Sequence, residues 1–400
     1  SVRYIKGIIS IAGYEFTGPE IITLSMCFIV LLKIFNNHDY KKLKSPLTKP
    51  LFLLYFYIVF SVIKTIFIDG ASFTTTMTSA RNLFYYALFP LTLYSIDSKK
   101  KFNGFFNAIL FLAVIISLLM IIQFILGPGN RLPFLYKGVV PLYREEMSLT
   151  RVSGVPGISL EFLCFFEIAC FALAISDKKL RLKYTFLLIL FMAALFVTFT
   201  RNLFVSMLLG LFLILFFVHQ KTRVSSITKT IMITLFALLL LYLANSIAPT
   251  KNVSVYGQLS RRVLEPFREN VMDMPTISQR TTEIERVLPE IKSHILLGNG
   301  LASGTIHNGY VTILLQMGVI GLAIYFWIFY RFIKRGFFLY RQMNNDRYKL
   351  IVLGFTIGFI TLLPVVLVKP IFIQQIFWIP LLAIIWGINE VLYRIDKEDM

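Results

Sequence analysis

Apolar stretches of about 17–25 residues, the length that crosses a bilayer as a helix, recur along nearly the whole of this 400-residue chain. No feature limits the fold more. A soluble core has no use for so many helices that are apolar all round. Hydrophobic residues make up 57% of the chain and charged residues 15%, against about 25% charged in ordinary soluble domains. The chain therefore reads as an all-α polytopic membrane protein, a single integral membrane domain over residues 1–400. Its net charge of +19 would suggest nucleic acid in a soluble protein. Here most lysines sit in short loops between spans, as the positive-inside rule expects, so no nucleic-acid partner is expected. Cys27, Cys164 and Cys170 all fall in apolar spans, without disulfide or metal-ligand spacing.

Eleven spans are expected: 20–35, 50–68, 81–96, 103–126, 158–176, 184–200, 201–218, 228–247, 308–330, 350–368 and 371–393. Residues 1–14 are too short and broken to span alone. They read as the remnant of a twelfth helix or as an interfacial segment. Residues 184–218 would make one helix of ~52 Å, too long for a hydrocarbon core of ~30 Å. The chain must turn there, and the only polar break is Thr198-Phe199-Thr200-Arg201-Asn202. Arg201 then lies at a membrane face.

Basic residues give the orientation. The loops 36–49, 97–102, 177–183, 219–227 and 331–349 and the tail 394–400 hold 21 Lys and Arg, and the opposite short loops hold eight. The first set is expected to be cytoplasmic. The long polar segment 248–307, the loop 127–157 and the Arg201 turn then face the other side.

The segment 248–307 is the one long polar excursion, with seven basic and six acidic residues. A helix is expected to start near Ile277, with Thr276 and Gln279 at capping-box spacing. Arg280, Ile284, Val287 and Ile291 then share one face, and Pro289 kinks or ends the helix. A stretch near 257–270, with Arg261, Arg262 and Arg268, also looks helical. The segment closes with Gly298-Asn299-Gly300 and then Thr305-Ile306-His307-Asn308-Gly309-Tyr310 before a long apolar span.

Guanidinium groups bind phosphate oxygens in bidentate geometry, so arginines at a membrane face suit a lipid phosphate or pyrophosphate. The run 298–304 is glycine-rich, but it follows no strand and lacks the Lys-Ser/Thr of a phosphate-binding loop. A tight turn into the following helix is expected there. His307 lies at the water–lipid boundary, where an imidazole serves either as a helix cap or as a general base near neutral pH. Asp273, Glu283, Glu285 and Glu290 are dispersed among basic residues with no ligand-like spacing, so no metal or other cofactor is expected. In the fifth span Glu161, near the outer face, is a candidate partner for an active-site arginine. Glu167, deeper, is expected to satisfy a helix contact. Lys369, Gln374 and Gln375 mark the last external turn, and Tyr310 reads as an interface aromatic.

His307-Asn308-Gly309-Tyr310 followed by Gly318 and Gly321 resembles the His-Asn-x-Tyr-x7-Gly-x2-Gly pattern of the O-antigen ligase and Wzy-type polymerase superfamily. Ser278-Gln279-Arg280 resembles its Ser-Gly-Arg segment, with Gln279 in place of Gly. Gly298-Asn299-Gly300 resembles its Gly-x-Gly. Thr198-Phe199-Thr200-Arg201-Asn202 is similar to its Thr-x-Ser-Arg-Gly turn, departing at Thr200 and Asn202. Arg151-Val152-Ser153-Gly154 resembles an Arg-x-x-Gly segment before the fifth span. The resemblance covers roughly residues 150–325.

It implies a GT-C-like helical glycosyltransferase of the bacterial inner membrane with its large loop in the periplasm. The enzyme would move a glycan from undecaprenyl pyrophosphate to an acceptor sugar hydroxyl with inversion, without metal or nucleotide. Arg201 and Arg280 would hold the pyrophosphate with help from Arg151, and His307 would orient or deprotonate the acceptor hydroxyl. Arg286, Asn308, Glu161 and Tyr310 complete the expected substrate contacts. The expected partners are the lipid-linked donor, the bilayer and a glycan acceptor, with room for a chain-length regulator. A polymerase of polysaccharide repeat units is the first expectation. A ligase that transfers to lipid A core shares the chemistry and differs in acceptor. A flippase of lipid-linked sugars would call for repeated halves and broken mid-membrane helices.

Overall fold

The computed structural model describes residues 9–11, 14–38, 40–126, 161–176, 181–198, 200–217, 275–373 and 378–398. The expected span 228–247, the stretch 257–270, Arg151, Gln374 and Gln375 lie outside them. Among the described residues six helices are long and apolar enough to cross a membrane, and two shorter ones are also apolar. The chain is thus a multi-pass, predominantly helical membrane protein. It forms two compact units.

The first unit comprises residues 1–101, 278–338 and 366–400. It opens with an antiparallel ribbon, β1 (Ile9–Ile11) and β2 (Tyr14–Phe16). At these residues strands stand in place of the expected remnant of a twelfth helix: Ile9, Ile11, Tyr14 and Phe16 are β-branched or aromatic types that favour strands. Helix α1 (Gly18–Asn37) begins behind it. Glu20 Oε2 accepts from the Thr17 N–H at 2.6 Å, and Glu20 Oε1 from the Tyr14 hydroxyl at 2.6 Å. Arg81 pairs with Glu20 at 2.8 Å and donates to the Glu15 carbonyl. That buried cluster holds the ribbon on the start of α1.

Helix α2 (Thr48–Phe67) follows as expected. A short helix, α3 (Phe73–Ala80), comes next, and the expected span 81–96 is broken into a 3-10 turn at Arg81–Ala87 and α4 (Leu88–Ser95). Pro90 accounts for the late start of α4, since a residue without an N–H costs an α-helix no hydrogen bond in its first turn.

The second unit comprises residues 102–277 and 339–365. Within it lie most of α5 (Lys99–Leu126), α6 (Glu161–Ser176), α7 (Arg181–Phe196) and α8 (Arg201–Phe217). The expected turn within 184–218 is present between α7 and α8. Thr198 Oγ1 accepts from the Thr200 N–H at 3.2 Å, and the Thr200 carbonyl accepts from the N–H groups of Leu203 and Phe204. Helix α6 packs on α7 and α8.

Three further helices follow, α9 (Pro275–Ser293), α10 (Gly309–Gln342) and α11 (Asp346–Leu362). The last helix, α12 (Trp378–Glu398), starts seven residues later than expected, with Pro380 in its first turn. In the second unit α11 lies against α6 so closely that a Cβ on Gly354 would meet Ala169 Cα at 2.6 Å. Small residues at such contacts let two helices approach. Ser206 donates to the Thr361 carbonyl at 2.9 Å and ties α8 to α11. Glu167, expected to satisfy a helix contact, is fully buried on α6 and has no hydrogen bond among the described residues.

In the first unit α12 packs on α4. Arg335 of α10 grips Glu390 of α12 through two nitrogens at 2.8 and 2.9 Å.

Candidate active site at the re-entry of α10

Helix α9 starts at Pro275, two residues before the expected position, because proline's missing N–H is no loss at the first helical residue. It also runs through Pro289 to Ser293 rather than ending there. Its apolar stripe is the expected one. Ile284, Val287 and Ile291 pack with Ile306, Val311, Leu314 and Leu315 from the start of α10. The stripe clamps α9 onto the re-entering chain and fixes where its polar flank stands.

On that flank Glu283 meets His307. The imidazole Nδ1 lies 2.9 and 2.8 Å from the two carboxylate oxygens, and the His307 N–H donates to Oε2 at 3.2 Å. The Glu283 side chain is 19% exposed and that of His307 58%. Burial pushes the Glu283 carboxyl up, but the His307 ring and amide, with Arg286 nearby, outweigh it and hold the carboxyl below its ordinary value. Glu283 was missed in the sequence because it stood among dispersed acids. Its signal was its place three residues after Arg280, on the same side of a helix.

Arg280 is half-buried and makes no hydrogen bond or ion pair among the described residues. It lies one helical turn before Ile284, next to the side that carries Glu283. Arg286 is exposed and acts on Glu283 only through its charge. Asn308 caps α10, its Oδ1 accepting from the Val311 N–H at 3.1 Å. Tyr310, in the first turn, packs its ring against Phe326 at 5.6 Å between centroids. Arg201 is the first residue of α8 and Glu161 the first of α6; their side chains, like all of Arg151, lie outside the described residues. Lys369 reaches the re-entry through its carbonyl, which a Cβ on Gly309 would meet at 2.8 Å.

The glycines of the motif have a structural account. Helix α10 is interrupted at Gly318, with φ 65° and ψ −171°, a region essentially reserved for glycine. The turn 295–299 lies against the gap and satisfies the backbone groups it frees. Val319 N–H donates to the Ile295 carbonyl at 2.9 Å, and Asn299 N–H to the Leu315 carbonyl at 2.7 Å. The Tyr57 hydroxyl donates to the Met317 carbonyl at 2.6 Å. A Cβ on Gly318 would run into the Leu296 carbonyl.

Helix α2 then locks Gly298-Asn299-Gly300. Lys64 Nζ, almost fully buried, donates to both Asp69 oxygens at 2.9 and 2.8 Å and to the Gly298 carbonyl at 3.1 Å. Thr65 Oγ1 accepts from the Leu301 N–H at 3.1 Å. Gly300, at φ 89°, leaves no room for a Cβ, which would come within 2.6 Å of Asp69 and Thr65. The glycine-rich run is thus a seated turn, as the sequence suggested. Lys64, Asp69 and Tyr57, more than 200 residues away, gave no signal of their part in it.

A half-exposed imidazole held by a carboxylate, which lies one turn along α9 from a guanidinium with no partner among the described residues, can accept a proton beside a bound anion. No curated protein matches the chain. Residues 186–326, which include Arg201, Arg280, Glu283, His307 and Gly318, match the family model described as O-Antigen ligase, the superfamily that the motifs of this segment resemble.

Proposed function

We propose that this protein is a glycosyltransferase of polysaccharide assembly that takes a glycan from undecaprenyl pyrophosphate and transfers it to an acceptor sugar hydroxyl at the periplasmic face of the bacterial inner membrane. The observation that carries this reading is the His307 imidazole, anchored through Nδ1 on the helix that also bears Arg280, inside the matched segment. The leaving pyrophosphate develops negative charge, and a guanidinium aimed at it stabilises that charge. Arg280 takes this role, and the resemblance extends it to Arg201 and Arg151. His307 removes the acceptor proton, and a single displacement inverts the anomeric centre without metal or nucleotide.

The acceptor we favour is another lipid-linked repeat unit, which makes the protein a polymerase. The description of the matching family favours the second reading, transfer to lipid A core. Purified protein given undecaprenyl-pyrophosphate-linked repeat units and a chelator, with and without lipid A core and no nucleotide, separates them. Longer lipid-linked glycan means polymerase, and glycan on the core means ligase. No release of undecaprenyl pyrophosphate under either condition rejects the enzyme.

A further inference from the structure

We propose that Glu283 is the positioning residue of His307, fixing the tautomer in which Nδ1 carries the proton and Nε2 is the nitrogen that takes the acceptor proton. The inference rests on His307 being the base. A carboxylate is acceptor-only when ionised. Both Glu283 oxygens lie within 2.9 Å of Nδ1, and one of them also takes the His307 N–H. The neutral ring meets that carboxylate favourably only by donating from Nδ1, which leaves the Nε2 lone pair open.

The anchor is stiff for structural reasons. Glu283 lies on α9, whose Ile284, Val287 and Ile291 are packed on the start of α10, and Ile306 beside His307 belongs to the same cluster. Thr312 Oγ1 pins the Ile306 backbone from the other side, donating to its carbonyl at 3.1 Å. The imidazole therefore has its backbone, its Nδ1 and its neighbour held, while more than half of its surface is open. Beside His307, the charged group that acts on Glu283 is Arg286, on the same helix.

In the transfer step the acceptor hydroxyl gives its proton to Nε2 as its oxygen bonds to the anomeric carbon. The bond from that carbon to the pyrophosphate oxygen breaks with its electron pair, and undecaprenyl pyrophosphate leaves. The imidazolium so formed faces the Glu283 carboxylate, which stabilises it, and the proton later returns to water. A carboxylate in this relation orients the ring and steadies its charge without taking the proton itself.

The test has two parts. Nitrogen-15 NMR of histidine-labelled protein in alkaline buffer, with the His307 signals identified by their loss in His307→Ala, reads the tautomer directly; the chain has only four histidines. A dominant Nδ1–H form supports the proposal, and a dominant Nε2–H form overturns it whatever any variant does. In parallel, Glu283→Gln keeps the shape and an oxygen for the His307 N–H. It is expected to lower kcat roughly 10–100-fold with KM little changed and to mix the tautomers. If His307→Ala is inactive while Glu283→Gln has full kcat, His307 remains the base and the role of Glu283 falls. If His307→Ala is fully active, the base assignment falls and this inference with it.

Discussion

Glu283 and His307 stand 24 residues apart in the chain, yet the carboxylate of one holds both the ring and the backbone N–H of the other. The histidine is thereby separated from the helix that follows it. Asn308, not His307, provides the cap of α10. A histidine whose backbone neighbour does the capping is left available for chemistry. Replacing His307 by Ala should therefore leave the fold intact and lower glycan transfer about 10²–10⁴-fold, the usual worth of a general base. The check is release of undecaprenyl pyrophosphate beside a thermal melt of the same preparation; loss of activity with an unchanged melt is the expected pair of results.

Arg280 offers a sharper chemical test. Its guanidinium has no partner among the described residues, so nothing structural depends on it there, and Arg280→Lys keeps the charge. If the group binds pyrophosphate through two parallel N–H bonds, lysine cannot replace it. Transfer should fall at least about tenfold, with stability unchanged within roughly 0.5 kcal/mol. Exposed Arg286, which touches the site only by its field on Glu283, should tolerate the same change with a much smaller loss. Equal losses at both positions would argue for a diffuse positive field instead of a bidentate clamp.

The helix break depends on Gly318. Alanine there must adopt a backbone conformation that costs about 1–3 kcal/mol, and its Cβ would run into the Leu296 carbonyl. Gly318→Ala should destabilise the protein by at least that amount. It should also loosen the turn 295–299, because the bonds from Val319 and Asn299 depend on the gap. Thermal unfolding in detergent measures the first effect, and faster proteolysis between α9 and α10 the second.

Lys64 and Asp69 form a nearly buried pair that also holds the Gly298 carbonyl. Removing one partner of a buried pair costs about 3–5 kcal/mol, whereas removing both costs much less. Lys64→Met and Asp69→Asn should each lower the melting temperature more than the double substitution does. The coupling energy of the double-mutant cycle should reach roughly 0.5–3 kcal/mol. Coupling near zero would mean the turn is seated by its glycines and Thr65 alone.

What could be read from the sequence was whatever is local. The stripe Ile284, Val287 and Ile291 has a helical period, and it does pack. The Thr198–Asn202 break followed from length alone, and α7 and α8 part there. Errors arose where a local signal met a competing local rule. Pro289 was expected to kink or end α9; the helix does not end there, because a proline inside a helix needs only that its neighbours absorb one lost bond, and here the buried stripe outweighs that loss. Pro90 did the opposite, delaying α4 inside an apolar run long enough to span. The least legible features were long-range partners. Nothing near Lys64 or Tyr57 announces Gly298 or Met317, and nothing in Glu283 alone announces a histidine 24 residues on.

The pH response of the re-entry follows from the same pair. The Glu283 carboxyl is held below its ordinary value in the folded protein, since the His307 ring and amide outweigh the upward push of burial. A group of this kind adds stability that is fully present above its unfolded value, about 4.3 for a glutamate, and is lost as the pH falls through the lower folded value. The contact between α9 and the re-entering chain should therefore hold from neutral pH down to about pH 5 and weaken only below about 4. Hydrogen exchange at the His307 amide, which donates to Glu283, reports on it once corrected for the intrinsic rate. Its protection should stay level across the upper range and drop in acid. In Glu283→Gln, which has no carboxyl to titrate, the acid drop should vanish; a drop that persists in that variant would assign the transition to another group.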